Sequence, residues 1–242
     1  MCNLAELKPD GSYQGDVMEW VVMCTRKLAD VFARAASSEL DILADIITDK
    51  GEGRLALSTT SKDTILRNKK LGKLQSIGVL LAQEICCYGG NALANAFRGT
   101  GAEYREVAKD VGIHLGAKIL KKDNVYDIEE KIIEHAIQKF AESPSKNFAN
   151  EDRTNLLMLI VRGLVYSDQS PLERFLRERS FESGLVPILK IVLLPGYLNS
   201  ELAGLTSQLR ITVPAVLLIA NMRRRQVDAE YHYYRRSLEA CL

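Results

Sequence analysis

The stretch Asp127-Ile128-Glu129-Glu130-Lys131-Ile132-Ile133-Glu134-His135-Ala136-Ile137-Gln138-Lys139-Phe140-Ala141-Glu142 decides the fold class. Ile128, Ile132, Ile133, Ala136, Ile137 and Phe140 recur at steps of three and four, the period of one face of an α-helix. Upstream, Val17, Val21, Met23, Cys24, Leu28, Val31, Phe32 and Ala35 draw a similar stripe through residues 16–36. Ser37-Ser38 interrupts it. Ser38 with Asp41 resembles a capping box that opens a short helix faced by Leu40, Leu43, Ala44, Ile46 and Ile47. Residues 50–61 hold Gly51, Gly53, Thr59, Thr60 and Ser61 and read as a loop, with a short extended piece over 54–57. Residues 62–70 read as a polar helical turn or loop.

A helix over 71–87 follows, stopped by Gly89-Gly90. Asn91 caps the next, which runs to Arg98. Another amphipathic helix covers 103–115, with Tyr104, Val107, Ala108 and Val111 inward. Ser143, Pro144, Ser145 and Asn147 mark a boundary between two halves. Beyond it come residues 155–166, then 171–180 with Pro171 as a helix entrance. The apolar stretch 185–198 is interrupted by Pro187 and Pro195. A final helix begins near Pro214 and continues through Arg223-Arg224-Arg225 to Leu238. Alternating strands are scarce, so the expected fold is all-α, a multi-helix bundle of roughly ten helices with short loops. Its expected organisation is an N-terminal helical extension (1–38), a central helical domain (39–142) and a C-terminal helical region (151–242) packed on it.

Composition narrows the function classes. Lys and Arg total 32 and Asp and Glu 31 in 242 residues, a net charge of +1, so no overall field attracts nucleic acid or anionic membrane. Hydrophobic residues at 47% and charged residues at 26% describe a globular chain with a sizeable core. The five cysteines, Cys2, Cys24, Cys86, Cys87 and Cys241, match no zinc or redox spacing and read as small buried hydrophobes in a reducing cytosol. Residues 1–8 do not have the pattern of a secretory signal. No run of about 20 apolar residues predicts a membrane-spanning helix.

The reactive residue types form no catalytic arrangement, and neither a catalytic residue nor a cofactor or metal site is expected. His114, His135 and His232 fall on separate helices, none in a His-Glu-x-x-His spacing, and His114 has the apolar neighbours of a core histidine. Glu103, Glu106 and Asp110 on one helix, and Glu129, Glu130 and Glu134 on another, read as solvated charged faces. They lack the Glu-x-x-His repeats of a dinuclear bundle site. No nucleophile motif is present.

Two segments hold more interest. Gly89-Gly90-Asn91 opens a helix and could present backbone N–H groups to an anion, with Arg98 adding charge. It follows a helix rather than a strand, matches no phosphate-loop or dinucleotide pattern, and reads first as a stop, a tight turn and a second stop. The cluster Arg223, Arg224 and Arg225, followed by Arg235-Arg236 among Tyr231, Tyr233 and Tyr234, has three readings. One is a half-buried C-terminal helix with its arginines on the wet end. The second is a membrane-surface or anion contact behind the apolar run 214–220. The third, nucleic-acid binding, is disfavoured by interspersed acids.

Residues 83–115 carry a recognisable pattern: Gln83-Glu84-Ile85, Tyr88-Gly89-Gly90-Asn91, Leu93-Ala94-Asn95, Phe97-Arg98-Gly99, Gly101, Tyr104, Val107 and Asp110-Val111. With Glu39-Leu40-Asp41-Ile42-Leu43-Ala44-Asp45 and the block from Arg210 to Ala220, this resembles the bacterial YaaW family. The resemblance implies a helical fold. It also implies a middle part similar to the ubiquinol-cytochrome c chaperone domain, and it brings no catalytic residues with it. The implied function is a non-enzymatic protein-interaction or chaperone-like module in the cytoplasm. Its partner is a protein of unspecified identity, received near Tyr88, Gly89, Gly90, Asn91, Phe97, Arg98 and Tyr104. The alternative is a membrane-peripheral stress or defence effector using the C-terminal apolar helices and Arg223–Arg225. The sequence does not fix an oligomeric state.

Overall fold

The computed structural model describes residues 26–54, 57–88, 102–141, 149–166, 171–172, 174–175 and 209–239. Among these the chain is helical and without strands. The elements are α1 (Leu28–Ala33), α2 (Ser37–Thr48), α3 (Thr59–Lys70), a 3-10 turn (Leu74–Ile77), α4 (Gly78–Tyr88), α5 (Tyr104–His114), α6 (Val125–Ala141), α7 (Asn150–Tyr166) and α8 (Leu209–Glu239). The described residues hold eight α-helices, against roughly ten expected for the whole chain. The first half of the N-terminal stripe, the helix expected after Asn91, the 143–147 boundary and the apolar stretch 185–198 lie outside the described residues.

The organising element is α8. Every residue from Ile211 to Arg224 is buried, so this part of the helix is enclosed on all sides rather than along one stripe. It packs most extensively against α6 and α7, and also against α2, α5, α1 and α4. Val216, Leu217, Leu218 and Ile219 are fully inaccessible and meet the apolar faces of the surrounding helices in one core that runs from Leu28 to Met222. Each such side chain contributes about 1.5–3 kcal/mol on leaving water. The helix begins five residues before the expected Pro214. Proline removes one backbone donor early in the helix, and the burial of Ile211, Thr212 and Val213 offsets that loss.

Local chemistry moves three other boundaries. The opening of α2 uses neither Ser38 nor Asp41. Ala36 stands at its N-cap, and the Ala36 N–H donates to Glu39 Oε2 at 3.1 Å. Residues 62–70 belong to a full helix, α3, capped by Ser58, whose Oγ accepts the Ser61 N–H at 3.0 Å. Only Ile65 of α3 is buried, so the apolar period there is faint. The helix expected from Leu71 begins at Gly78 instead. Gly72, at φ 62°, breaks the chain direction, and Gly78 lets α4 approach α1 so closely that a Cβ there would lie 3.1 Å from the Ala29 carbonyl oxygen.

Candidate functional site

Successive helical residues are turned by about 100°. Arg223, Arg224 and Arg225 therefore leave α8 in three directions, and each meets an acid from another element. Arg223 Nε donates to Glu129 Oε2 of α6 at 2.7 Å, and its Nη1 donates to the Arg26 carbonyl. The side chains of this pair are 2% and 1% exposed. Glu129 Oε1 accepts the Tyr104 hydroxyl of α5 at 2.8 Å. Arg224 Nε lies 3.8 Å from both Glu130 Oε1 and Asp228 Oδ2, and Arg153 of α7 approaches Glu130 from the other side at 4.0 Å. Arg225 Nη1 donates to Glu39 Oε1 of α2 at 2.6 Å, so one carboxylate both caps α2 and holds α8. One turn on, Glu230 takes Arg26 and Arg34.

Burial raises the Glu129 carboxyl above the ordinary glutamate value, while Arg223 and Tyr104 pull it down. Burial and the adjacent Glu129 push the Tyr104 hydroxyl well above its ordinary value, which keeps it a neutral donor. Glu130 is raised chiefly by burial, and Arg153 is lowered by burial and by the nearby Arg224. The Arg223–Glu129–Tyr104 atoms are directed at one another, so the arrangement is mechanical. It fixes the rotation and register of α8 against α5, α6 and the chain at Arg26. Such a pair sets geometry more than net stability, but removing one member strands a buried charge at about 3–5 kcal/mol.

For Arg223 and Arg224 this differs from the readings that put the arginines in contact with water or lipid. Arg223 and Arg224 are buried, and Arg225 alone is half-exposed. The apolar run before them forms the centre of the core. Among the described residues no helix is long and apolar enough to cross a membrane. The reading of Glu129 as part of a solvated face is also corrected, because Glu129 is buried, while Glu103, Glu106, Asp110 and Glu134 are exposed. The signal was present in the spacing. Glu129 precedes Ile132 and Ile133 by three and four, and Arg223 follows Ile219 and Ala220 by four and three. Both charges thus sit on apolar stripes.

The expected interaction surface divides. Tyr88 and Tyr104 are interior side chains. Gly89, Gly90, Asn91, Phe97 and Arg98 lie outside the described residues. The flanks of that segment are tied, the Ala102 N–H donating to the Cys86 carbonyl at 3.1 Å. His114 is exposed rather than in the core, His232 is exposed, and the half-buried His135 places Nδ1 2.9 Å from the Lys131 carbonyl oxygen. Cys86 and Cys87 are free thiols. Burial pushes Cys86 up to about 11 and raises Cys87, which opposes thiolate chemistry. Cys2, Cys24 and Cys241 lie outside the described residues. Among the described residues no group of His, Cys, Asp and Glu side chains is placed to hold a metal ion.

No family model and no solved structure matches the chain. Two curated relatives do. UPF0174 protein YaaW of Escherichia coli O157:H7 and that of Escherichia coli strain K12 are each 27% identical to it over 223 residues, spanning 81% of this chain and 92% of the relative. The chain is thus similar to these two YaaW proteins over most of its length.

Proposed function

We propose that the protein is a cytoplasmic, non-enzymatic helical module that holds a protein partner, in the manner of a chaperone. The observation that supports this reading is the far end of α8. From Tyr231 to Glu239, every described side chain is exposed, although the helix continues without a break. The buried belt at Arg223–Arg225 anchors α8 in the body, and the exposed part after Glu230 adds roughly 13 Å of helix. Tyr231 and Tyr233 stand on this arm at least half-exposed, beside Arg235 and Arg236. Tyrosine and arginine are the residue types enriched at protein interfaces, where they provide large contact area for little lost entropy. The arm keeps its own helix through the Arg235–Glu239 pair at 2.9 Å, so it meets a partner already ordered.

The test is site-specific photo-crosslinking in the native cell. A photoreactive phenylalanine at Tyr233 is compared with one at Lys50, exposed after the end of α2. A discrete adduct from position 233 that is absent from position 50 supports the proposal. Equal labelling from both positions, or none from 233, overturns it.

A further inference from the structure

The connection between α5 and α6 has no role in the fold's ion-pair belt, yet it is tightly built. With the last two residues of α5 it reads Ile113-His114-Leu115-Gly116-Ala117-Lys118-Ile119-Leu120-Lys121-Lys122 before Asp123, three lysines and no acid in ten residues. Two inward cations grip its backbone. Arg105 Nη2 donates to the carbonyls of Lys121 and Asp123, each at 2.9 Å. Lys131 Nζ donates to the Lys118 carbonyl at 3.2 Å and to Asp123 Oδ2 at 2.6 Å. Asp123 Oδ2 also accepts the Leu120 N–H at 2.6 Å. Ile119 folds back onto Gly112, where a Cβ would lie 3.1 Å from Ile119 Cδ1.

Leu115 and Ala117 turn inward with Asp123, and the side chains between them, Ile119 aside, face out. Ile113 is 56% and Leu120 39% exposed, and each directly adjoins the Gly112–Ile119 contact. Lys118, Lys121 and Lys122 are exposed around them, with Lys109 on the last turns of α5. None of these four ammonium groups is in a hydrogen bond or ion pair among the described residues. Asp123, the acid that follows the lysines, is occupied by Lys131, and the exposed acids next to the patch are Asp110 beside Lys109 and Glu106 one turn before it. Two exposed aliphatic tips ringed by lysines on a hydrogen-bonded loop have the chemistry of an interfacial contact. The aliphatic groups reach the acyl boundary and the ammonium groups stay among lipid phosphates.

We propose that the α5–α6 loop is a docking site for the surface of an anionic phospholipid bilayer, with Ile113 and Leu120 inserted and Lys118, Lys121 and Lys122 on the headgroups. It rests on none of the groups that support the partner-holding reading, and either proposal can fail without the other. The experiment is co-sedimentation of the full chain with vesicles of phosphatidylcholine mixed with phosphatidylglycerol, against phosphatidylcholine alone. Binding is expected with the anionic vesicles at about 0.05 M salt and is expected to fade at about 0.5 M. Changing Lys118, Lys121 and Lys122 together to Gln should weaken it about a hundredfold, roughly fivefold for each charge. Ile113→Ser with Leu120→Ser should weaken it at an unchanged melting temperature, since both side chains are exposed. Wild type left in the supernatant overturns the proposal, as does equal pelleting of the triple-glutamine variant. Binding that responds to the lysines but not to the aliphatic pair overturns the insertion of Ile113 and Leu120, and would describe a purely electrostatic headgroup contact.

Discussion

Asn221 is fully buried in α8, and neither its Oδ1 nor its Nδ2 has a hydrogen-bond partner among the described residues. An unsatisfied buried amide costs about 1–3 kcal/mol. Asn221→Leu, of similar volume, should therefore raise the unfolding free energy by about 1–3 kcal/mol in urea titration. A lower midpoint would contradict the assignment. Tyr104→Phe should act in the opposite direction. It removes a hydrogen bond to a buried carboxylate, which contributes about 1.5–3 kcal/mol, and leaves Glu129 with Arg223 as its remaining donor. Denaturation at neutral pH with an unchanged far-ultraviolet spectrum would check it. At this scale the sequence was half legible. Tyr104 was correctly expected to point inward from its period. Its bond to Glu129 was not visible, because the two residues belong to different helices.

At the scale of the element, periodicity worked where one face is buried and failed where packing or backbone chemistry set the limits. The stripe through α6 was readable because Ile128, Ile132, Ile133, Ala136 and Ile137 are all in the core. α3 was faint because a single apolar residue faces inward, and the start of α4 depends on the closeness of α1, which no local pattern records. The loop after α5 illustrates a consequence with a pH sign. The Lys131 hydrogen bond and the Leu120 N–H hold the Asp123 carboxyl below the ordinary aspartate value. A lowered native value means the unfolded chain binds the proton more readily. The stabilising contribution is present above the unfolded value, about 3.9, and is lost as pH falls through the lower native value. Asp123→Asn should lower the melting temperature at pH 7, and the gap from wild type should close as pH drops below about 4. Parallel melting curves across pH would check both halves. A gap that persists at low pH would contradict this account of the loop.

For the whole molecule, α8 links the two sequence halves. Its apolar run was recognised in the sequence, but the same composition serves a buried central helix and an interfacial one. What separates them is the set of acids waiting on α2 and α6, and that set exists only once the chain has folded. Arg223, Arg224 and Arg225 thus read as a positive patch in one dimension and as three separate ties in three. The central claim is that this cluster locks α8 inside the bundle, and a double-mutant cycle on Arg223 and Glu129 tests it most directly. Urea unfolding of Arg223→Met, Glu129→Leu and the pair together would be compared with wild type. Each single change should cost about 3–5 kcal/mol, because the partner charge is left buried. The double variant should recover most of that loss and show a coupling of several kcal/mol. Single variants within about 0.5 kcal/mol of wild type, the behaviour of exposed charges, would contradict the buried lock.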